Sequence, residues 1–266
     1  MKNILLLAHD DLGQEARLRA ALDVTRALHG RLTCLEVTIA PPLIGEGSPA
    51  GDLLLRVQRN AERHNTTALR ARIEAERIAC EWQAVPGDAI AALIGAARLA
   101  DLVVLNCLLE ADEEPDMVAL TQKLVDKIRA PVLAVPQNIP GLEPTGHAVV
   151  LWDGSSDAEA ALCAAMPLLS LSRQVSVLYV DDGSLDAPLD EVMRYLMANG
   201  VAAHPCRRDA GGQRAAVVIE QYLRRNAPAF AVMGAFGHSR LHDAVFGSVT
   251  RHLMATAPVA LLLAHA

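Results

Sequence analysis

The stretch RAPVLAVP at residues 129–136 decides the fold, because a similar stretch, TAPVALLL, follows at residues 256–263. Carried back without a gap, this alignment also superimposes the apolar runs that precede the two stretches. The beginnings of the two halves match as well, since residues 3–11 and residues 147–155 are both short apolar runs that end at an acid. A repeat of this extent indicates that the chain uses one fold twice.

Within each half, short apolar runs alternate with segments of helical periodicity. The Ala- and Leu-rich segments at residues 15–28 and 158–171 follow the first runs, and second apolar runs come at residues 32–37 and 175–180. Strands that alternate with helices imply a parallel sheet covered on both faces. We therefore expect an α/β chain of two tandem Rossmann-like domains, each with a five-stranded, mostly parallel sheet and helices on both faces.

The Pro- and Gly-rich segment at residues 137–146 has no periodicity and is predicted to be a linker. It divides the chain into a first domain at residues 1–136 and a second at residues 147–266. The last apolar run of each domain would leave an exposed sheet edge, which proteins tend to cover or pair. We expect these two strands to pair within the chain as a pseudo-dimer, with a further homodimer left open.

Composition excludes several classes of function. The formal net charge of -7 argues against sequence-independent binding to nucleic acid, which needs a basic surface. No apolar stretch approaches the roughly 18 residues that suggest a membrane span, and the opening residues do not have the pattern of a secretory signal. The five cysteines are odd in number and scattered. We therefore expect a cytoplasmic protein with reduced thiols and no membrane insertion.

The stretch MGAFGHSRLHDAVFGSVT at residues 233–250 is predicted to join a strand to a helix through a glycine-rich loop. Gly234 and Gly237 are three positions apart, and Gly247 is followed at once by Ser248. A helix N-terminus attracts anions, and glycines let the backbone approach phosphate oxygens closely. The hydroxyls of Ser248 and Thr250 add potential hydrogen bonds. The alternative is two turns and an ordinary helix cap.

The first half serves as an internal control for these glycines. In the ungapped alignment of the halves, Gly234 falls on Cys107, Gly237 falls on Glu110 and Gly247 falls on Leu120, and only Ser248 keeps a hydroxyl, as Thr121. The loop of the first half also carries five acids, which would repel a phosphate. The repeat therefore predicts a site for a phosphorylated ligand in the second half only.

At these residues the chain resembles the universal stress protein family, whose nucleotide-binding members carry the motif G-x2-G-x9-G-[S/T]. The three glycines and Ser248 match that motif, Val249 and Thr250 continue it, and Asp153-Gly154-Ser155 matches the usual end of the first strand. The resemblance covers the whole chain as a tandem of two family domains. It implies an adenine nucleotide alpha hydrolase-like fold in both domains and a role in stress response or signalling.

The resemblance also implies a ligand, which is ATP or a related nucleotide (AMP or ADP), with or without Mg. Asp153 would lie at the ribose or adenine end, and the Val180 backbone would meet the adenine. In the first domain the position of Asp153 is taken by His9 or Asp10, depending on the gap, which predicts a degenerate site. The implied nucleotide site consists of Asp153, Gly154, Ser155, Val180, Met233, Gly234, Gly237, Gly247, Ser248, Val249 and Thr250.

The residues contain no recognisable catalytic constellation, so a binding protein read by a partner is the first hypothesis. An adaptor or structural protein without a physiological nucleotide is the second. A slow ATP hydrolase is the third, with Asp153 and Asp157 as candidates to hold a metal. Trp152 has two interpretations, either a ring that stacks on a base or an ordinary core residue.

Overall fold

The computed structural model describes residues 1–38, 49–109, 115–183, 189–236 and 246–266. The first half contains β1 (Asn3–Ala8), α1 (Gln14–Ala27), β2 (Arg31–Thr38), α2 (Pro49–Ala75), β3 (Cys80–Pro86), α3 (Ala89–Ala96), β4 (Leu102–Asn106), α4 (Met117–Lys127) and β5 (Val132–Val135). The second half contains β6 (His147–Leu151), α5 (Ser156–Leu169), β7 (Gln174–Asp181), α6 (Leu189–Ala198), β8 (Ala203–Asp209), α7 (Ala215–Asn226), β9 (Phe230–Gly234), α8 (Ser248–Thr256) and β10 (Ala260–Ala264). No helix among these is both long enough and apolar enough to cross a membrane.

The ten strands form one sheet in the order β3-β2-β1-β4-β5-β10-β9-β6-β7-β8. Neighbouring strands are parallel except β5 and β10, which run antiparallel with Leu133 opposite Leu262. Each half therefore has the same strand order, and the two halves meet at their last strands. The predicted pairing of these strands is present, and it removes two apolar edges from solvent.

Apolar side chains cover both faces of this sheet. One core lies under α1, α2, α5 and α6, and the other lies under α3, α4, α7 and α8. The strands β4, β5 and β10 are buried along their whole length, as is usual for central strands between two helical layers. Each buried Leu or Val in such a run contributes about 1.5–3 kcal/mol. The predicted α/β class, with helices on both faces of a mostly parallel sheet, is confirmed.

The segment between β5 and β6 packs against α1. Leu142 is buried and donates its backbone N–H to Asp23 Oδ2 at 3.0 Å, and Arg19 Nη1 donates to the carbonyl of Pro140 at 3.2 Å. Residues 137–146 therefore contact the first half through both an apolar side chain and polar groups. The division into domains at residues 1–136 and 147–266 stays a prediction.

Backbone hydrogen bonds give the correspondence between the halves residue by residue. Cys107 donates its N–H to Val135 at 3.0 Å, and Ala235 donates to Ala264 at 3.0 Å. Cys107 thus corresponds to Ala235, so the counterpart of Gly234 is Asn106. The expected match of Gly234 with Cys107 is wrong by one position, because segments of unequal length separate the strands in the two halves.

The same comparison aligns the first strands and the last helices. The carbonyl of Asn3 accepts from the N–H of Asp101, and the carbonyl of His147 accepts in the same way from the N–H of Ala229. Asn3 therefore corresponds to His147. At the ends of α4 and α8, the N–H of Ile128 donates to the carbonyl of Leu124, and the N–H of Ala257 donates to the carbonyl of Leu253. Ile128 therefore corresponds to Ala257. Extended without a gap, these two alignments give three further pairs: His9 with Asp153, Val118 with Gly247, and Thr121 with Thr250. The expected matches of Gly247 with Leu120 and of Ser248 with Thr121 are therefore wrong by two positions.

Candidate functional site

A cavity of about 350 Å³ lies in the second half, where the carboxyl ends of β6, β7 and β9 face the N-terminus of α8. This edge of a parallel sheet is where ligands of such folds usually bind. Eight of the predicted site residues line the cavity: Asp153, Val180, Met233, Gly234, Gly247, Ser248, Val249 and Thr250. Gly154 and Ser155 are not among its lining residues, and Gly237 lies outside the described residues.

The N-terminus of α8 forms one wall of this cavity. Gly247 is the N-cap residue, with φ −56° and ψ 162°, and it carries no side chain that caps the helix. Ser248, Val249 and Thr250 form the first turn, whose backbone N–H groups have no partner inside the helix. Since these N–H groups and the helix dipole both favour negative charge, this wall suits an anionic group.

Gly234 has a packing role at the crossing of β9 and α5. A Cβ atom at this position would lie 2.7 Å from Asp157 Cβ and 2.8 Å from the backbone nitrogen of Ala158. Real Cβ atoms do not approach other atoms so closely, so only glycine fits without a shift of the helix. The sequence interpretation weighed a ligand site against an ordinary turn, and the packing of β9 on α5 supplies a further reason for this glycine.

In the first half, the glycine at the equivalent crossing lies on the helix and not on the strand. Asn106 takes the strand position of Gly234, and Gly13 takes the helix position of Asp157. A Cβ atom on Gly13 would lie 2.5 Å from Asn106 Cγ. Each half therefore has one glycine at this crossing, on the helix side in the first half and on the strand side in the second. The absence of a glycine at position 106 therefore does not by itself show that Gly234 serves a ligand.

Asp157 is nearly fully buried, and its hydrogen bonds hold neighbouring backbone and side chains. Its Oδ1 accepts from Ala266 N–H at 3.1 Å and lies 3.0 Å from His265 Nδ1, while its Oδ2 accepts from Phe236 N–H at 3.2 Å. The His265 ring in turn meets Phe236 edge to face, with 4.9 Å between ring centroids. The carboxylate of Asp157 is thus committed to fixing the end of β9.

Asp153 begins the turn that leads into α5. Its Oδ1 accepts from Ser155 N–H at 3.0 Å and from Ser155 Oγ at 2.6 Å, and Ser155 caps α5 by accepting from Ala158 N–H at 3.1 Å. Gly154 has φ +73°, a conformation that favours glycine in this turn. Gly154 and Ser155 therefore shape the turn that places Asp153 in the cavity wall.

A metal held by Asp153 and Asp157 does not fit this arrangement. The Asp157 oxygens and Asp153 Oδ1 all accept hydrogen bonds from protein groups, and Asp157 is not among the residues that line the cavity. The described part of the chain contains no group of three or more His, Cys, Asp or Glu side chains able to hold a metal ion. We therefore assign no metal role to these two carboxylates.

The other predicted residues divide between the cavity and the core. Val180 and Met233 lie at the ends of β7 and β9 and line the cavity. Trp152 is only 7% exposed and packs in the apolar core under α5 and α6, and it also lines the cavity, so both interpretations of this ring stay predictions. The Thr250 hydroxyl donates to the carbonyl of Gly234 at 3.4 Å, so it fastens α8 to β9.

The sequence interpretation missed part of the cavity wall. Leu151 and Leu178 are paired neighbours at the ends of β6 and β7, and strand alternation could have placed both on the side of α7 and α8. No sequence signal marks the residues that α7 and the two strand ends add. These further lining residues are Tyr179, Asp182, Ala215, Ile219 and Phe236.

Near the corresponding strand ends of the first half, on the side of α1, lies a buried ion pair. Arg17 and Asp11 have side chains that are 0% and 1% exposed, and Arg17 Nη2 lies 3.0 Å from Asp11 Oδ2. Arg17 also donates to the carbonyls of Leu7 and His9 and to Asn106 Oδ1. Its counterpart in the second half, by the alignment that pairs Asn3 with His147, is the small residue Ala161.

Helices α2 and α4 of the first half bring two further carboxylates to this end of the sheet. His9, the counterpart of Asp153, lies 2.9 Å from Glu62 on α2 through its Nδ1. At the start of α4, the carboxylate of Asp116 accepts from the N–H groups of Val118 and Ala119 at 3.0 Å each. The positive end of this helix is thus neutralised by its own capping residue.

No protein-family model and no curated protein sequence matches this chain. Among solved structures, a universal stress protein from Archaeoglobus fulgidus DSM 4304 covers 99% of this chain and 98% of its own length, with a TM-score of 0.77 and 15% identity. A putative universal stress protein from Pseudomonas aeruginosa UCBPP-PA14 covers 100% of this chain and 93% of its own length, with a TM-score of 0.58 and 15% identity. The predicted resemblance is confirmed in the structure: the chain has the α/β fold of these universal stress proteins along its whole length.

A third universal stress protein, solved in complex with cAMP, covers 50% of this chain and 96% of its own length. Its TM-score is 0.37 and its identity 18%, so its ligand carries no argument about this chain.

Proposed function

We propose that this chain binds ATP or a related adenine nucleotide in its second half and acts as a nucleotide-dependent stress-response protein. The observation that carries the proposal is the cavity at the carboxyl ends of β6, β7 and β9, with the N-terminus of α8, whose N-cap residue is Gly247, as one wall. The match of the glycine motif and the full-length fold similarity to universal stress proteins support the same function.

The lining residues suggest an orientation for the nucleotide. The wall of Leu151, Leu178, Met233 and Ile219 is apolar and suits the base, with the backbone of Val180 beside it. The cavity volume of about 350 Å³ lies at the lower end of the range for small-molecule sites, so outer phosphates would extend toward solvent.

The charged and polar groups suggest where the phosphates and sugar lie. The N–H groups of Ser248, Val249 and Thr250 suit the phosphates, because they offer donors at the positive end of α8. Asp153 suits the ribose, since a carboxylate accepts hydrogen bonds from hydroxyls but repels phosphate oxygens. A cytoplasmic location and a homodimer beyond the pairing within the chain stay predictions of the sequence.

Calorimetric titration of ATP into the wild type and Gly247→Asp tests this orientation. Gly247 has backbone angles that other residues adopt easily, so aspartate there should fold normally and cap α8 as Asp116 caps α4. We expect at least a tenfold loss of ATP affinity, since the new carboxylate occupies the N–H groups and repels the phosphates. Thermal stability should be unchanged or slightly higher, which separates loss of the site from loss of the fold.

Two further variants serve as matched controls. Gly247→Asn fills the same space without the charge and should lose less affinity than the aspartate variant. Asp116→Asn changes the N-cap residue of α4 in the first half and should leave ATP affinity unchanged. Equal affinity in the wild type and Gly247→Asp would contradict this placement of the phosphates.

The same titrations separate the alternative functions. Absence of binding to the wild type would favour an adaptor without a physiological nucleotide. Release of phosphate from ATP well above background, lost in Asp153→Ala, would favour a slow hydrolase.

A further inference from the structure

Two cysteines lie side by side on neighbouring strands of the first half. Cys34 is on β2 and is fully buried, and Cys80 is the first residue of β3 and is half-buried. In the strand register Cys34 is opposite Trp82, two positions beyond Cys80, so both thiols are on the same face of the sheet. Their sulfur atoms are 3.6 Å apart. One accessible thiol therefore has a second, sheltered thiol within reach.

The surroundings make these two thiols unequal. The hydrogen bond with Cys34, together with the charge of Arg70, lowers the pKa of Cys80. The same hydrogen bond and burial raise the pKa of Cys34. The guanidinium of Arg70 is held close by, 4.6 Å from the centre of the Trp82 ring. Because the thiolate is the reactive form of cysteine, Cys80 is the nucleophile of the pair.

A small oxidant has a route to Cys80. This residue lines a cavity of about 480 Å³ at the amino ends of the strands, together with Lys2, His29 and Arg31. By contrast, Cys107 is enclosed in the core, where burial raises its pKa to about 12. The accessible sulfur of Cys80 thus lies where a neutral hydroperoxide can reach it.

The strand that carries Cys80 has freedom to move toward Cys34. A disulfide needs the sulfur atoms at about 2.05 Å, so they must approach by about 1.5 Å. β3 is at one end of the sheet and pairs with β2 alone in the described part of the chain. A shift of this edge strand does not require a second neighbour to follow.

We propose that Cys34 and Cys80 form a reversible disulfide when the protein meets a hydroperoxide. The Cys80 thiolate attacks one peroxide oxygen, the O–O bond breaks, and the departing oxygen leaves as water after taking up a proton. The Cys34 sulfur then attacks the Cys80 sulfenic acid, and the hydroxyl leaves with the Cys34 proton as a second water. Two thiols and one hydrogen peroxide thus give one disulfide and two waters. This inference is independent of the proposed nucleotide site.

Peptide mapping by mass spectrometry tests the proposal. The reduced full chain is treated with a few equivalents of hydrogen peroxide, its remaining thiols are blocked with N-ethylmaleimide, and it is digested without reduction. We expect a linked peptide pair that contains Cys34 and Cys80 and that dithiothreitol separates. The Cys34→Ala variant, in which alanine suits the buried site, should accumulate a Cys80 sulfenic acid that dimedone traps.

Two more variants complete the experiment. Cys80→Ser should leave Cys34 reduced, whereas Cys163→Ser, which removes an exposed thiol, should leave the disulfide unchanged. Oxidation of Cys163 with both Cys34 and Cys80 still reduced would overturn the proposal, and so would Cys80 that resists dimedone in folded Cys34→Ala. If Cys34→Ala or Cys80→Ser fails to fold by circular dichroism, the presence or absence of the linked peptide pair in the wild type decides the proposal.

Discussion

The two halves of this chain share one fold but differ in the polar groups that lie at the carboxyl ends of their strands. In the first half, Arg17 and Asp11 form a buried ion pair there, and Asp116 neutralises the start of α4. In the second half, the position of Arg17 is taken by Ala161, the N-cap residue of α8 is Gly247, which has no capping side chain, and a cavity lies beside this helix start. The two halves therefore differ in a few polar residues at corresponding positions near these strand ends.

The second helix of each half adds to this contrast. α2 spans 27 residues and places Glu62 against His9, whereas α6 spans 10 residues. The crossing of the fourth strand and the first helix is instead alike in the two halves, because each half has one glycine there, Gly13 or Gly234. A glycine near a strand end is thus evidence of close packing before it is evidence of a ligand.

The buried ion pair offers the largest effect on stability. Arg17→Ala copies the residue of the second half, and it leaves Asp11 and Asn106 buried without their partner. We expect the free energy of unfolding in urea to fall by about 3–5 kcal/mol. Arg26→Ala on the same helix is the control, because Arg26 is exposed and its ion pairs should contribute less than about 1 kcal/mol. A similar small loss for both variants would mean that the ion pair does not hold the first half together.

The glycine crossing should give an intermediate effect in both halves. Gly13→Ala and Gly234→Ala each force a Cβ atom into a neighbour, so we expect each to lower the free energy of unfolding by about 1–3 kcal/mol. Gly95→Ala is the control, because that position in α3 has open space around it and should gain up to about 1 kcal/mol. Urea unfolding measures all three, and a neutral Gly234→Ala would show that β9 and α5 tolerate a wider separation.

The smallest expected effect concerns the contact between α2 and α1. The hydrogen bond from Arg72, with help from Arg19, lowers the pKa of Glu15 from 4.5 to about 2. Because the folded pKa is depressed, this contribution to stability is complete above pH 4.5 and is lost as the pH falls through 2. Glu15 is half exposed, so Glu15→Gln should cost less than about 1 kcal/mol at pH 7.

A carboxyl titration followed by NMR measures this pKa directly. The midpoint for Glu15 should lie near 2 in the wild type and move toward 4.5 in Arg72→Ala. An unchanged midpoint in the variant would mean that Arg72 does not hold α2 against α1.

Much of this architecture follows from local pattern. The alternation of strands and helices, the repeat and the apolar edges of the last strands predicted the α/β class and the pairing of β5 with β10. Most residues of the predicted nucleotide site line one cavity, because the strand ends of a parallel sheet meet at one edge. Whether they bind a nucleotide, and what Gly237 does, stay predictions.

Other features depend on contacts that sequence spacing does not reveal. Arg17 donates a hydrogen bond to Asn106, which is far away in the sequence on β4. Nothing in the periodicity of α1 therefore marks this arginine as buried. The match of Gly234 with Asn106 needed the hydrogen-bond register, since a constant offset cannot absorb connections of unequal length. The packing role of Gly234 likewise depends on Asp157 at the start of α5, which no local pattern brings beside it.

The stoichiometry of nucleotide binding tests the asymmetry of the two halves most directly. Native mass spectrometry of the full chain with increasing ATP counts the nucleotides bound to each chain. We predict one ATP on the wild type, and none on Gly247→Asp at the concentration that saturates the wild type. Two ATP molecules on each chain, or one that persists in Gly247→Asp, would contradict a site built only in the second half.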